Sequence, residues 1–459
     1  MATDMLPWDE VVLLFGVSLA FLARYLRTVV SIFTYLLFKP YPIAENPRYT
    51  SKDVTVIVPT TFKTPVDLLQ CLQSIDKCSP AHIFVVTADA NVRLVKELCA
   101  LNSIGNVTVL GVAKLNKRNQ MLMALGEVQT EITVFADDDV FWPDNFLNHL
   151  LAIFEDPIVG AGGARQRVRR NAKPNVWNFL GVGYLERRVW NNITTNAIDG
   201  SISTLSGRTA AYRTEILKNE EFSYYFVNDK WLGKPLNTDD DKCLTRYVYS
   251  HGWKIAIQTS TVIETTLEDN WGYVDQCMRW ARGHWRGNLT VMTNESYWRS
   301  MRYAWGCYVI YAGQFQTPAL LVDSFLFYLL HSALLNASAS VRTYSFVAYG
   351  LWIFFTKNLK MIPHYIRHPA DMRFIPVSIA FSYIHGFFNI YALCTLTTII
   401  WGSQKLEQLE KPKAQTDREV IPLLRDTMAE MPNSEPEVGR AMIGEEFVSL
   451  IPLAPDPLH

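Results

Sequence analysis

Four short runs of β-branched and aromatic residues, separated by helical patterns, restrict most strongly how this chain can fold. They are Val54-Thr55-Val56-Ile57-Val58-Pro59, Ile83-Phe84-Val85-Val86-Thr87, Val107-Thr108-Val109-Leu110 and Ile132-Thr133-Val134-Phe135. Continuous apolar runs this short read as strands buried on both faces, as in parallel sheets covered by helices. Between them, Leu68 to Ile75, Val92 to Leu101 and Asn119 to Gly126 predict helices. The alternation predicts a mostly parallel, doubly wound α/β sheet. Ligands of such sheets sit beyond the carboxyl ends of the strands. Asp89 and Asp137-Asp138-Asp139 fall at two of those ends, which makes them the first candidate site residues.

The flanks have a different texture. Val11 to Phe38 is apolar over more than the ~20 residues a bilayer span needs, although Arg24 and Arg27 interrupt it. It reads as one tilted crossing whose arginines snorkel, or as a span followed by an interfacial helix, and the single crossing is preferred. Past Tyr303 come three more apolar blocks, Trp305 to Leu335, Tyr344 to Ile366 and Phe374 to Trp401, with Pro318 and Pro363 inside two of them. Lys357, Lys360, Arg367 and Arg373 predict a cytosolic loop. Gln404 to His459 is acidic and proline-bearing without apolar periodicity, as in disordered tails. The expected organisation is therefore an N-terminal span over 1–45, a cytosolic domain over 46–300, interfacial and membrane helices over 301–402, and a tail over 403–459. One span plus three would leave the tail outside, and splitting Trp305 to Leu335 would restore an even count. Charged residues at 19% and aromatics at 13% agree with a membrane protein, and the net charge of −1 gives no field that would attract nucleic acid. Seven scattered cysteines without a CxxC pair point to a reducing compartment.

Three clusters carry chemistry. Asp137 and Asp139, one residue apart at a strand end, can share a hard cation such as Mg²⁺ or Mn²⁺ and leave positions open for phosphate oxygens. A solvated acidic turn is the plain alternative, against which stand the apolar strand before it and Trp142-Pro143 after it. Asp239-Asp240-Asp241 precedes a predicted helix, Lys242 to Ser250. One acid would suffice to cap it, whereas three crowd one another and raise a carboxyl pKa, which suits a general base. Gln276, Arg279 and Trp280 share one helical face at i, i+3 and i+4. A guanidinium fork fits a pyrophosphate and an indole fits a sugar ring, although an interfacial amphipathic helix would look similar. Lys117 and Arg118 could bind phosphate or form a basic turn. Gly162 to Arg167 could approach a nucleotide closely or simply lead into a basic strand. His364 and His368 lack a nearby third ligand for a metal. Of the glycosylation sequons, Asn106, Asn192, Asn288 and Asn294 fall in the expected cytosolic domain, and Asn336 could face the lumen and be glycosylated.

In this order the motifs resemble an inverting, membrane-embedded family-2 glycosyltransferase of the GT-A fold. The set is similar to hyaluronan, chitin and cellulose synthases, and most closely to fungal type 2 glycosyltransferases, over roughly Asp53 to Gln404. The resemblance implies that Asp89 holds the uracil of a UDP-sugar, and that Asp137 and Asp139 bind the metal and diphosphate. Ser206-Gly207-Arg208-Thr209-Ala210-Ala211-Tyr212-Arg213 matches the acceptor-side segment. Asp241 matches the catalytic base of the TED or GDD motif, and Asp240 is the alternative because Asp239 replaces that motif's first residue. Gln276, Arg279 and Trp280 form an intact QxxRW, with Trp280 at the acceptor sugar. Trp401-Gly402-Ser403-Gln404 is similar to the Trp-Gly-Thr-Arg of hyaluronan synthases, with glutamine in place of arginine. The implied reaction is sugar transfer to a growing extracellular or cell-wall polysaccharide exported through the enzyme's own helices. The implied location is the plasma membrane, or a secretory-pathway membrane, with the catalytic domain in the cytosol. A single transfer to a membrane lipid, as in ceramide glucosyltransferases, is the alternative, and a non-catalytic membrane receptor or transporter with an acidic ion site is a third reading.

Overall fold

The structure is a computed structural model that describes residues 8–399. It begins with a single helix, α1 (Trp8–Leu37). The alternating region follows as β1 (Val54–Pro59), α2 (Pro65–Lys77), β2 (His82–Ala88), α3 (Val92–Leu101), β3 (Val107–Val112), α4 (Lys117–Glu127) and β4 (Ile132–Ala136). Every residue of β1 and β4 is buried, as expected of strands covered on both faces. Val54, Val56 and Val58 face Leu68, Leu72 and Leu98 of α2 and α3. Ile57 and Phe135 face Met121 and Leu125 of α4 on the other side.

The second half of the domain is less regular. It runs β5 (Val140–Phe141), α5 (Phe146–Leu151), β6 (Val159–Val168), α6 (Val176–Asp199), β7 (Thr209–Arg213), α7 (Thr214–Leu217) and α8 (Glu220–Val227). A small hairpin, β8 (Lys230–Trp231) with β9 (Lys234–Pro235), leads into α9 (Asp240–Ser250), β10 (Lys254–Thr265) and α10 (Gly272–Asn294). The main sheet has the order β3-β2-β1-β4-β7-β6-β10-β5. β1 pairs in parallel with both β2 and β4, so the strand order reverses between β1 and β4. That is the switch point where a crevice opens beyond the strand ends. β7 runs antiparallel to β4 and β6, which brings its preceding loop to the same edge.

Gly162 and Gly163 lie inside β6, where a Cβ on Gly162 would sit 2.1 Å from Ile153 Cδ1 and 2.5 Å from the Ala256 carbonyl. They are packing positions in the sheet, and the expected alternative of a close approach to a nucleotide is not what their surroundings provide.

The remaining described helices are α11 (Ala304–Gly306), α12 (Ala319–Ala333), α13 (Ala339–Leu359), α14 (Ile362–Arg367) and α15 (Ile375–Cys394). Among the described residues two stretches are long and apolar enough to cross a membrane, Val11–Leu37 and Pro369–Cys394. The block from Trp305 to Leu335 is not one rod. A π-turn over Cys307–Ala312 and a 3₁₀ turn over Gly313–Gln316 precede Pro318, and α12 starts after it. Pro363 likewise begins α14 rather than interrupting a helix, because a first-turn position has no intrahelical N–H bond to lose. Arg24 does not snorkel. It donates to the Gln316 carbonyl at 2.8 Å and lies 3.9 Å from Asp323, which also meets Lys357 at 3.3 Å. Charges on apolar helices are more stable paired inside a bundle than facing lipid. The expected disordered tail and Trp401-Gly402-Ser403-Gln404 lie outside the described residues.

Candidate active site

The site is assembled at the switch point from the ends of β1, β2 and β4. Gln120 of α4 donates to the carbonyls of Thr60 at 3.1 Å and Val86 at 2.7 Å, which fixes the ends of β1 and β2 side by side. Asp89 follows β2 on an exposed turn beside Gly111, where a Cβ would come within 2.2 Å of the Asp89 carboxylate. Only glycine at 111 leaves that carboxylate its place.

The three acids after β4 are held separately. The Asp137 N–H donates to the Arg208 carbonyl at 3.0 Å, and its carboxylate accepts from Lys117 Nζ at 2.7 Å. Asp138 accepts from the Thr60 hydroxyl. Asp139 accepts from the Thr266 hydroxyl at 3.1 Å. Burial, reinforced by repulsion from Asp137 and Asp138, pushes the Asp139 carboxyl up to about 7. A divalent cation would relieve that repulsion. Among the described residues no group of three His, Cys, Asp or Glu side chains is placed to hold a metal. Two carboxylates with the remaining positions left to phosphate and water fit Mg²⁺ or Mn²⁺ better than a closed protein cage.

The second acid cluster is divided among three cations. Asp239, at φ 60°, pairs with Arg286 of α10 at 2.9 Å. Arg286 also donates to the carbonyls of Leu396 at 3.3 Å and Thr398 at 3.2 Å, just beyond α15. Asp240 lies 3.1 Å from the same Lys117 ammonium that holds Asp137. Asp241 has Arg188 of α6 at 3.9 Å. The two neighbours differ in their proton chemistry. Burial acts to raise both carboxyls, but Lys117 outweighs it at Asp240 and brings that carboxyl below its ordinary range. At Asp241 burial and the adjacent Asp240 keep it above. Asp241 is also the more open side chain, 28% exposed against 14% for Asp240.

Ser206 and Gly207 form the floor. A Cβ at Gly207 would lie 3.4 Å from Lys117 Nζ and 3.5 Å from both Asp240 Oδ2 and Asp241 Cβ. Ser206 accepts from Arg208 at 3.3 Å, and the Arg208 guanidinium lies over the Trp280 ring at 5.4 Å. Trp280 stacks on Tyr184 of α6, with centroids 4.7 Å apart and planes at 18°. Gln276, one turn earlier on α10, keeps a buried side-chain oxygen that accepts no hydrogen bond among the described residues. Arg279 is half-buried on the same helix.

Lys117, Asp137, Asp139, Ser206, Gly207, Asp240, Asp241 and Trp280 thus come together, with Asp89 at the same edge of the sheet. Arg118 does not join them. It is 1% exposed and donates to the Phe226 carbonyl at 2.6 Å, the Thr238 carbonyl at 2.7 Å and Asp229 at 3.0 Å. Its terminal nitrogens serve the fold, and only its buried Nε lacks an acceptor among the described residues. Arg286, which on the sequence alone would touch lipid phosphates with Arg282 from an interfacial helix, is instead paired with Asp239. Sequence reasoning missed Tyr184 and Arg188, since α6 has no motif. It also missed Gly283 and Gly287, where a Cβ would meet Asp239 Oδ1 at 2.3 Å and Lys242 Cδ at 2.1 Å. Their spacing of four on a predicted helix was the available signal.

A cradle for a cation, a carboxylate with a raised proton affinity, and a flat aromatic beside them suit displacement of a phosphorylated leaving group by a hydroxyl. The chain's relatives agree with this chemistry. A family model described as glycosyltransferase like family 2 matches residues 51–283. A type 2 glycosyltransferase of Zymoseptoria tritici is 44% identical over 389 residues, 84% of this chain and 82% of the relative. A hyaluronan synthase of Streptococcus pyogenes is 22% identical over 384 residues, covering 81% of this chain and 87% of the synthase. Among solved structures, the mannosyltransferase PcManGT from Pyrobaculum calidifontis, in complex with GDP-Man and Mn²⁺, aligns with a TM-score of 0.53 at 16% identity. That alignment covers 83% of this chain and 99% of the mannosyltransferase, and it is a likeness of fold.

Proposed function

The chain belongs to glycosyltransferase-like family 2 and has a GT-A fold, and on that premise we propose that it transfers a sugar from a UDP-sugar to a growing polysaccharide with inversion at the anomeric carbon. The observation that carries the reading is the bridge at Lys117, which places Asp137 of one acid cluster and Asp240 of the other on a single ammonium. Donor-side and acceptor-side carboxylates therefore border one small volume, floored by Gly207.

Asp241 takes the proton of the acceptor hydroxyl as that oxygen attacks. Its raised proton affinity and its greater exposure than Asp240 support this role. Arg188 holds the carboxylate toward the site. Asp89 contacts the uracil ring, with Gly111 giving it room. Trp280, braced by Tyr184 and Arg208, offers its face to the acceptor sugar. Arg279 lines the pyrophosphate side, and the unpaired Gln276 oxygen, one turn away, accepts from a sugar or ribose hydroxyl of the donor. Mg²⁺ or Mn²⁺, held by Asp137 and Asp139, would neutralise charge on the departing UDP. Cations placed where charge develops act on the transition state more than on the ground state. The apolar stretches Val11–Leu37 and Pro369–Cys394 support an integral membrane enzyme; the proposed reading puts the catalytic domain on the cytosolic side, with a polymer leaving through the helices.

The test is purified full-length protein given a panel of UDP-sugars with Mn²⁺, with UDP release and product size measured together. Release with long product is expected. Release with only a singly glycosylated lipid would replace polymer synthesis by lipid transfer, and no release with any sugar would overturn the enzyme reading. Asp241→Asn should lower turnover by about 10²–10⁴-fold while UDP binding persists. Asp139→Asn should instead weaken the Mn²⁺-dependent part of UDP binding.

A further inference from the structure

Away from the catalytic acids, a second polar cavity opens where the foot of α1 meets β6, α6 and α14. It is partly open to solvent, and its lining includes Tyr35, Arg165, Arg167, Glu186, Trp190 and Arg367. Three guanidinium groups and one carboxylate thus border it. Glu186 is bound to Arg367, so Arg165 and Arg167 are left without a carboxylate of their own among the described residues. Arg165 Nε is buried with no hydrogen-bond acceptor among the described residues, while its guanidinium lies over the Tyr35 ring at 5.4 Å. An unmatched buried donor on a cation is costly unless a ligand supplies the acceptor. Burial chiefly, with Arg367 and Arg165 adding to it and Glu186 opposing, brings the Arg167 proton affinity down to about 10.

The walls are rigid. Tyr35 stacks on Trp190 with centroids 3.7 Å apart and planes at 11°, and the Trp190 indole N–H donates to Ser31 of α1 at 3.2 Å. Tyr35 stands in the last turn of the apolar α1, where aromatic residues meet lipid headgroups if that helix spans the bilayer. Planar guanidiniums are the side chains best suited to phosphate oxygens there.

We propose that this cavity binds a phosphate group, carried either by an anionic phospholipid at the foot of α1 or by a soluble phosphate. The lipid source rests on α1 spanning the bilayer; the phosphate chemistry does not. The lining of the cavity shares no residue with the proposed uracil, metal and base positions, so its ligand binds in addition to UDP.

Full-length protein in detergent is titrated with inorganic phosphate at saturating UDP and Mn²⁺, following the melting temperature and the tryptophan fluorescence. The same protein, reconstituted in phosphatidylcholine nanodiscs with and without phosphatidylserine, is melted, and native mass spectrometry reads retained phospholipid. Wild type should be stabilised by phosphate or by phosphatidylserine over phosphatidylcholine. Arg165→Gln and Arg167→Gln should each weaken that response roughly tenfold. Glu186→Gln, which removes the one competing acid, should strengthen it, and this opposite sign keeps the test informative if an arginine variant folds poorly. Retained phospholipid that Arg165→Gln/Arg167→Gln loses identifies the lipid source; a response to phosphate alone identifies the soluble one. No response of wild type to either probe, or equal responses of wild type and Glu186→Gln, overturns the proposal. Loss of UDP release leaves this outcome unaffected, because the readouts are binding and stability.

Discussion

Gly283 and Gly287 stand one turn apart on α10, and each leaves room that a charged side chain fills. Asp239 occupies the space beside the first and the Lys242 stem the space beside the second. Gly283→Ala would drive a methyl into the Asp239 carboxylate, whose other side is fixed on Arg286. We expect it to destabilise by about 1–3 kcal/mol, as overpacking does, and to lower turnover because Asp240 and Asp241 continue the same turn. Gly126→Ala is the contrast. Nothing lies within 4 Å of its added methyl, so it should stabilise by about 0.5–1 kcal/mol. Denaturation of the two variants in one detergent separates the effects. At this scale the acids were legible because carboxylates at strand ends have few structural reasons to be there. The partition of Lys117 from Arg118 was not legible. Adjacent residues at a helix start point in different directions, and which of them faces a crevice depends on elements about 110 residues away, such as Asp229.

Among elements, α4 sets the geometry of the catalytic edge. Its first residue reaches the acids, its second pins both ends of the loop from Phe226 to Thr238, and Gln120 fastens two strand ends. Arg118→Met would strip donors from two buried carbonyls and half the partners from Asp229, leaving Arg246 at 2.9 Å as its remaining cation. The expected cost is about 3–5 kcal/mol, the usual penalty for breaking a buried pair. A large fall in melting temperature would support this. Weaker UDP binding at an unchanged melting temperature would instead restore the phosphate-ligand reading. The elements from β1 to β4 could be placed from the sequence because each is a buried run between helical patterns. α6 and β7 could not. α6 mixes polar and apolar residues around most of its surface, and β7 is five residues whose direction is fixed by pairing with β4 and β6.

At the scale of the whole chain, the order of apolar segments sets which side each loop faces. With α1 and the catalytic domain oriented as proposed, Asn336 reaches the lumenal side only if α12 and α13, neither of which matches the length and apolarity of the two candidate spans, cross as a helical pair. A glycan should then be found there, seen as a mobility shift on endoglycosidase treatment that Asn336→Gln abolishes; an unmodified Asn336 in a glycosylation-competent host would argue for a pair that does not emerge. The apolar blocks and the option of splitting Trp305 to Leu335 were visible in the sequence, but the shape of the break was not. The turns around Pro318 depend on Gln314 and Gln316 finding partners on α10 and α1. Arg286 gives this arrangement a mechanical side. One guanidinium grips the carboxylate of Asp239, two residues from the proposed base, and the carbonyls just past the end of α15, so the acid loop and an apolar helix are tied through a single side chain. If α15 lies in the bilayer, stretching or tilting it to match a thicker or thinner one, at fractions of a kcal/mol per Å of mismatch, would therefore be felt at the proposed base. Turnover in nanodiscs should pass through an optimum as acyl chains lengthen, and Arg286→Lys should flatten it. The lipid environment would then act as a tuning parameter of the reaction.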